Sequence, residues 1–212
     1  MRNTLLAGLA GLFMSIGASA ADPFLEGKDY SLLETPVKTA NPNKIEVVEV
    51  FSYTCPHCYH FQPLVEAWMK TQKADVQLVQ EHTAWSSAME TYQRGYYTMQ
   101  LMGVKDKLHD TVFDYLHKDQ KTLEGAQDWA TFLATKGLDK NKVLSTFDSF
   151  IVTGEIAKAM DRIKAYRVSG TPEIIVDGKY KVSTRMSGSQ EDMLKVTAFL
   201  VEKSRAEHAA KK

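Results

Sequence analysis

Cysteine is nearly absent from this chain: two residues in 212, Cys55 and Cys58, three positions apart. A disulfide framework is thereby excluded, because a structural staple joins distant segments and no further cysteine exists to join. A bridge within the pair would close a loop too short to restrict the unfolded chain much. An excess of charge is also missing. The 26 Lys and Arg residues balance 26 Asp and Glu, so nothing electrostatic points to nucleic acid or an acidic surface as partner. There is no second Cys-x-x-Cys and no His-x(3–5)-His. Zinc needs four ligands, and the only nearby candidates beside the cysteines are His57 and His60. His57 lies between the two cysteines and, on a helix, points away from the face they share. No internal repeat or low-complexity segment stands out. The apolar run at 5–16 is too short to cross a bilayer.

What is present centres on the stretch Phe51-Ser52-Tyr53-Thr54-Cys55-Pro56-His57-Cys58-Tyr59-His60. A pair that is a poor staple has its value in reactivity, and thiolates are the nucleophiles of thiol–disulfide exchange. Pro56 suits the first position of a helix, where a missing N–H costs nothing. Cys55 then falls at the N-cap, beside unpaired backbone N–H groups and the positive end of the helix dipole. The dipole contributes at most ~2 kcal/mol, which lowers a thiol pKa by roughly 1.5 units. A larger shift needs further donors, and His57 is the nearest candidate. Cys58, inside the first turn, is expected to be less exposed and to act as the resolving partner. Stabilising the reduced, thiolate form makes the disulfide a stronger oxidant.

Cys-Pro-His-Cys after the Glu-Val-Val-Glu-Val-Phe strand resembles the active site of the DsbA family, bacterial thiol:disulfide oxidoreductases of the thioredoxin superfamily and themselves a type case of an acidic cysteine. The resemblance covers essentially the whole chain after residue 20. It implies an α/β thioredoxin fold with an inserted all-helical domain, and a monomeric dithiol oxidase acting on reduced, unfolded secreted proteins. It implies no metal and no organic cofactor beyond the redox-active pair, and reoxidation by a DsbB-like membrane quinone reductase. Glu49 matches a family acidic residue buried under the active site, where it can take part in proton transfer; taken alone it reads as an outward-facing strand residue. Pro172 matches the cis-proline that faces the disulfide, and Thr171 lends its backbone to an extended substrate polypeptide. The best-known DsbA proteins carry valine before that proline, whereas threonine resembles the disulfide isomerases. An isomerase or reductase on the same fold is therefore the alternative function, and a non-catalytic periplasmic metal- or peptide-binding module a more distant one.

Taken in order, residues 1–20 read as a signal peptide: Arg2, the apolar run, then Ala18-Ser19-Ala20 as cleavage site. This places the mature chain in the periplasm, where disulfides persist. Residues 29–34 suggest a short edge strand. Residues 44–53 form a β-branched strand pattern, and 56–70 a helix with Phe61, Leu64, Val65, Trp68 and Met69 on one face and a kink expected at Pro63. A strand at 76–81 should pair parallel to the first. The thioredoxin-like domain is read as 21–82 and 167–204. Helical patterns at 89–102, 105–117, 126–136, 142–150 and 155–166 fill an inserted domain at 83–166. His82, His109 and His117 show no partner pattern and read as ordinary histidines. Asp177-Gly178 between apolar runs signals a hairpin. Residues 183–188 read as a loop, Ser189 as the cap of a last helix to about 203, and 205–212 as a polar, fraying tail.

Overall fold

The computed structural model describes residues 22–210; the segment read as a signal peptide lies outside them. Five strands are formed, β1 (Ser31–Leu32), β2 (Ile45–Phe51), β3 (Val76–His82), β4 (Glu173–Val176) and β5 (Tyr180–Ser183). Eight helices accompany them: α1 (Pro56–Met69), α2 (Ser87–Leu101), α3 (Lys105–His117), α4 (Ala126–Ala134), α5 (Lys140–Phe147), α6 (Phe150–Ala165), α7 (Thr184–Ser187) and α8 (Gln190–Ala210). The strands make one sheet in the order β1-β5-β4-β2-β3. β2 pairs parallel with β3 and antiparallel with β4, and β4 and β5 form the hairpin. With helices α2 to α6 inserted between β3 and β4, this is a thioredoxin fold carrying a helical insertion, as the resemblance implies.

β2 is buried on both faces over its whole length, as a central strand covered by helices on either side must be. Alternation then sorts its side chains. Ile45 and Val47 pack with Phe61 and Val65 of α1 and with Leu200 and Val201 of α8. Val48 and Val50 face the other way, toward Ile163 of α6 and Tyr166 just after it. The third cluster joins the top of β2 to the insert: Phe51 packs against Tyr96 and Phe113 in a cluster that also holds Tyr53, Trp129, Leu133 and Cys58 itself. The cysteine pair thus sits on the seam between sheet and insert.

Local signals account for most element ends. Asp139 caps α5 by accepting from Lys142 N at 2.7 Å, and Ser189 accepts from Asp192 N at 3.0 Å at the start of α8. Gly137, at φ +90°, turns the chain after α4, a backbone conformation glycine adopts without a Cβ clash. Asp177 (φ 52°) and Gly178 (φ 62°) make the hairpin turn, both in the left-handed region that a type I′ turn requires.

Three readings are corrected, and the structure decides between the two given for Glu49. Residues 183–188 are not an irregular loop but contain the short helix α7. α6 begins at Phe150 rather than near 155, because Ser149 caps it by accepting from Val152 N at 3.2 Å. Glu49, which its strand pattern taken alone would turn outward, is buried as the resemblance implies, only 1 % exposed. The tail does not fray at 205, since α8 continues to Ala210. Side chains beyond the expected end clamp it to the sheet. Arg205 makes two bonds to Asp75 (2.6 and 2.9 Å), and His208 Nε2 lies 3.0 Å from Asp177 Oδ2.

Gly95 lies in the middle of α2, where alanine would ordinarily be the better helix former by about 1 kcal/mol. A Cβ there would lie 2.1 Å from the Trp129 indole, whose ring is fully buried. Overpacking of this kind costs ~1–3 kcal/mol, so packing outweighs propensity. Gly95→Ala is expected to lower the denaturant midpoint of unfolding at unchanged m-value; a raised midpoint would show that Trp129 yields freely.

Candidate active site

The strand β2 ends at Phe51, and after Ser52, Tyr53 and Thr54 the chain turns at Cys55 into α1. Cys55 occupies the N-cap with Pro56 as the first helical residue. No side chain caps this terminus, so its backbone N–H groups face the Cys55 sulfur. Both cysteines are free thiols; Cys55 is half-buried and Cys58 fully buried. The Thr171–Pro172 peptide is cis, and the Thr171 carbonyl oxygen lies 3.4 Å from Cys55 Sγ. Beside it, a cavity of about 320 Å³ is lined by Ser169, Thr171, Pro172, Lys181, Thr184 and Met186 among others. A larger cavity, about 800 Å³, lies at the opposite end of β2, around Ile45, Asp75 and Arg205, away from both sulfurs.

Burial and hydrogen bonding separate the two sulfurs. The Cys58 thiol hydrogen-bonds to Cys55 and is the largest influence lowering the Cys55 pKa, to about 5; partial burial opposes it, while the Thr171 side chain and the backbone N–H groups of Cys58 and His57 lower it further. Each of these donors stabilises the thiolate and not the thiol. Cys58 moves the other way. Burial raises its pKa strongly, and the Cys55 charge raises it further. Reduction therefore leaves the negative charge on Cys55 and the proton on Cys58. His57 reaches the site through its backbone: its N–H faces Cys55 and its carbonyl accepts from Gln190 Nε2 at 2.6 Å. Its imidazole is exposed.

Beneath the sulfurs lies a polar cluster in an otherwise aromatic core. The parallel register sets Glu49 opposite Gln80, and Gln80 Nε2 donates to Glu49 Oε2 at 2.9 Å. Burial raises the Glu49 pKa to about 7, with Gln80 and the charge of Lys105 opposing it. Glu49 in turn raises the pKa of Cys58, which places a carboxyl titrating near neutrality under the buried thiol. Gln80 also donates to Gln62 Oε1 of α1 (3.1 Å). On the other face of the sheet Glu81, likewise raised by burial to about 7, pairs with Arg162 of α6.

The histidines are where the sequence reading fell short. His109 is buried and contacts Tyr53 Oη (2.8 Å), Gln62 Oε1 (3.2 Å) and Gln80 Nε2 (3.2 Å). His117 Nε2 donates to the Tyr53 carbonyl at 2.8 Å, and its ring stacks on Tyr59 at 4.9 Å. His82 Nε2 accepts from Tyr53 N at 3.0 Å. All three surround the residue two positions before Cys55. The available signal was helical spacing: His109, Phe113 and His117 recur every four residues on α3 and so share one face. Among the described residues, no three His, Cys, Asp or Glu side chains converge as a metal site.

The chain is similar to known proteins over its full length. Residues 68–195 match the model of the DSBA-like thioredoxin domain. The thiol:disulfide interchange protein DsbA of Pseudomonas aeruginosa is 40% identical over 213 residues, covering 100% of both chains. The crystal structure of Pseudomonas aeruginosa DsbA aligns with TM-score 0.84 at 41% identity, over 91% of this chain and 99% of that one. The oxidoreductase DsbA from Xylella fastidiosa aligns with TM-score 0.81 at 31% identity, over 87% and 99%.

Two substitutions read out the thiolate donors. Cys58→Ala removes the strongest of them and is expected to raise the Cys55 pKa more than Thr171→Val does. Thiolate absorbance against pH on the reduced variants measures both; no rise in Cys58→Ala would mean that the helix terminus alone holds the thiolate.

Proposed function

The chain belongs to the family of the DSBA-like thioredoxin domain, and from that premise we propose that its Cys55–Cys58 disulfide is donated to folding exported proteins with Cys55 as the exchanging sulfur. The observation that carries this assignment is the opposed behaviour of the two thiols: a half-exposed Cys55 with its pKa lowered to about 5, and a Cys58 whose burial holds it protonated.

The substrate's extended chain lies along the cis-proline loop, pairing with the Thr171 backbone. A substrate thiolate attacks Cys55 Sγ. The Cys55–Cys58 bond breaks, a mixed disulfide forms, and Cys58 leaves as a thiolate in surroundings that do not tolerate the charge. It takes a proton from Glu49, whose pKa of about 7 leaves it part protonated at neutral pH. A second substrate thiolate attacks the substrate sulfur of the mixed disulfide, and Cys55 departs as its stabilised thiolate. The substrate loses two electrons and the cysteine pair gains them. In reoxidation the order reverses: Glu49 accepts the Cys58 proton as Cys58 closes on Cys55. A DsbB-like membrane quinone reductase is the proposed acceptor of the two electrons, and the proposed oxidase is a monomer.

Thr171 motivates the isomerase reading, but its side chain lowers the Cys55 pKa. That favours the reduced form and hence a stronger oxidant, which supports the oxidase. Export follows from residues 1–20 read as a signal peptide cleaved after Ala20, with a periplasmic location as the family would have it. Among the described residues no helix is long and apolar enough to cross a membrane.

Oxidised protein mixed with a reduced, unfolded multi-thiol substrate is expected to consume substrate thiols stoichiometrically, and Cys55→Ser to abolish the reaction without loss of fold. Full activity in Cys55→Ser would overturn the assignment. Efficient reshuffling of a scrambled substrate by the reduced protein, without added oxidant, would favour the isomerase. N-terminal sequencing of the exported protein should begin at Ala21.

A further inference from the structure

We propose that His109, brought in by the helical insert, is a positioning residue for the thiol chemistry: it fixes the direction of the Gln62 and Gln80 side-chain amides and thereby holds Gln80 as a hydrogen-bond donor to Glu49. This rests on the reading of Glu49 as proton carrier for Cys58.

The cluster contains few atoms and its proton assignment is constrained. Gln80 Nε2 has two hydrogens, and three groups surround it: Glu49 Oε2 at 2.9 Å, Gln62 Oε1 at 3.1 Å and His109 Nε2 at 3.2 Å. His109 Nδ1 faces the Tyr53 hydroxyl at 2.8 Å, and His109 Nε2 also faces Gln62 Oε1 at 3.2 Å. Buried polar groups are nearly always paired, so the correct assignment is the one that pairs them all. With the imidazole neutral and its proton on Nε2, every one of these groups finds a partner, and the Gln80 Nε2–His109 Nε2 approach at 3.2 Å is the one contact that faces two donors. Tyr53 donates to Nδ1, Nε2–H donates to Gln62 Oε1, and Gln80 spends its two hydrogens on Gln62 and Glu49. Gln62 Nε2 is then free to donate to Glu66 Oε1, 3.1 Å away. With the proton on Nδ1 instead, the Tyr53 hydroxyl proton has no acceptor in the cluster, and three acceptors compete for the two Gln80 hydrogens. An imidazolium fails at Tyr53 in the same way, and burial disfavours it by lowering the His109 pKa to about 3.

The consequence falls on Glu49. An amide locked with its N–H toward a carboxyl stabilises the carboxylate. Freed to rotate, the same amide can offer its carbonyl to the protonated acid and stabilise that form instead. His109 therefore keeps Glu49 from drifting toward permanent protonation in a site where burial already pushes it up. The other groups acting on the pair come from every adjoining element. Lys105 and Asp106 face His109 from its own helix, and His82 faces it from β3. Glu49 feels Lys105 from α3, Cys58 from α1 and Tyr96 from α2. None of these makes a hydrogen bond that sets the amide direction.

The test uses the closing half-reaction. A mixed disulfide between Cys55 and glutathione is prepared on the whole mature protein, and glutathione release is followed against pH. Cys58 gives its proton to Glu49 and its sulfur attacks Cys55; the Cys55–glutathione bond breaks and glutathione leaves as thiolate. The rate should rise with pH through an inflection near the Glu49 pKa. In His109→Phe, which suits the surrounding aromatic rings but cannot donate, the inflection is expected to move up by about one pH unit, a rate about tenfold lower on its acid side. His109→Gln, which retains an N–H, should restore it. Glu49→Gln should abolish the inflection. If Glu49→Gln leaves the inflection in place, the proton-carrier reading fails, whatever His109 does. If Glu49→Gln removes it and His109→Phe does not move it, the His109 proposal is overturned. Imidazole nitrogen chemical shifts of the unsubstituted protein give a readout independent of any variant's folding: the neutral Nε2–H tautomer is expected, and an Nδ1–H tautomer or an imidazolium at pH 7 would overturn it.

Discussion

Two sulfurs three residues apart lie on opposite sides of a dielectric boundary, and the chemistry of this protein depends on that separation. Cys55 stands at the uncapped start of α1, where backbone N–H groups, the Cys58 thiol and the Thr171 side chain all stabilise a negative charge. Cys58 is inside the aromatic core and bears the full cost of desolvation as an anion. The reduced pair therefore has one preferred charge arrangement, and the disulfide has no comparable stabilisation. The imbalance favours reduction of the pair, which is oxidation of the substrate.

The fold serves that boundary from both sides. The sheet supplies the turn that presents Cys55 and, through the β2–β3 register, the facing pair Glu49 and Gln80. The insert supplies the low-dielectric cover. Phe113 of α3 and Tyr96 of α2 pack their rings around Phe51 and Tyr53 at 5.0 to 6.1 Å between centroids. His117 ties the Tyr53 carbonyl to α3, and Tyr59 donates to Asp114 of the same helix at 3.1 Å. Sheet and insert are thus joined through the residues flanking the cysteines. Cys58 is packed in the cluster it shares with the insert, and burial is the largest cause of the Cys58 and Glu49 pKa shifts on which the proposed proton transfer rests.

Much of this was legible in the sequence because it is encoded locally. Cys55-Pro56 announces an N-cap and a first helical turn, Asp177-Gly178 a hairpin, and Asp139 and Ser189 helix starts; each is decided by a handful of adjacent residues. What was not legible is decided across the fold. Glu49 has the same sequence neighbours whether its strand is covered on one face or two, and only the packing of α1 and α3 over it shows that it is buried. His109 finds Gln62 on α1, Gln80 on β3 and Tyr53 in the turn between β2 and α1, and no spacing in the chain records those encounters. The α8 terminus looks like a fraying polar tail because its anchors, Asp75 and Asp177, are 130 and 31 residues away from Arg205 and His208. The departure at Thr171 could be seen in the sequence, but its effect could not: the direction depends on the side chain reaching the Cys55 sulfur.

The most direct measurement of the central claim is the unfolding free energy of the oxidised and reduced forms at pH 7. A disulfide ordinarily stabilises a folded protein by restricting the unfolded chain, though little across so short a loop. A thiolate stabilised only in the folded, reduced state acts in the opposite sense, and its effect should be the larger. The reduced protein is expected to be the more stable form, and to lose that advantage as pH falls through about 5, where Cys55 becomes protonated. A more stable oxidised form at pH 7 would contradict the account, because the folded structure would then favour the disulfide it is proposed to give away.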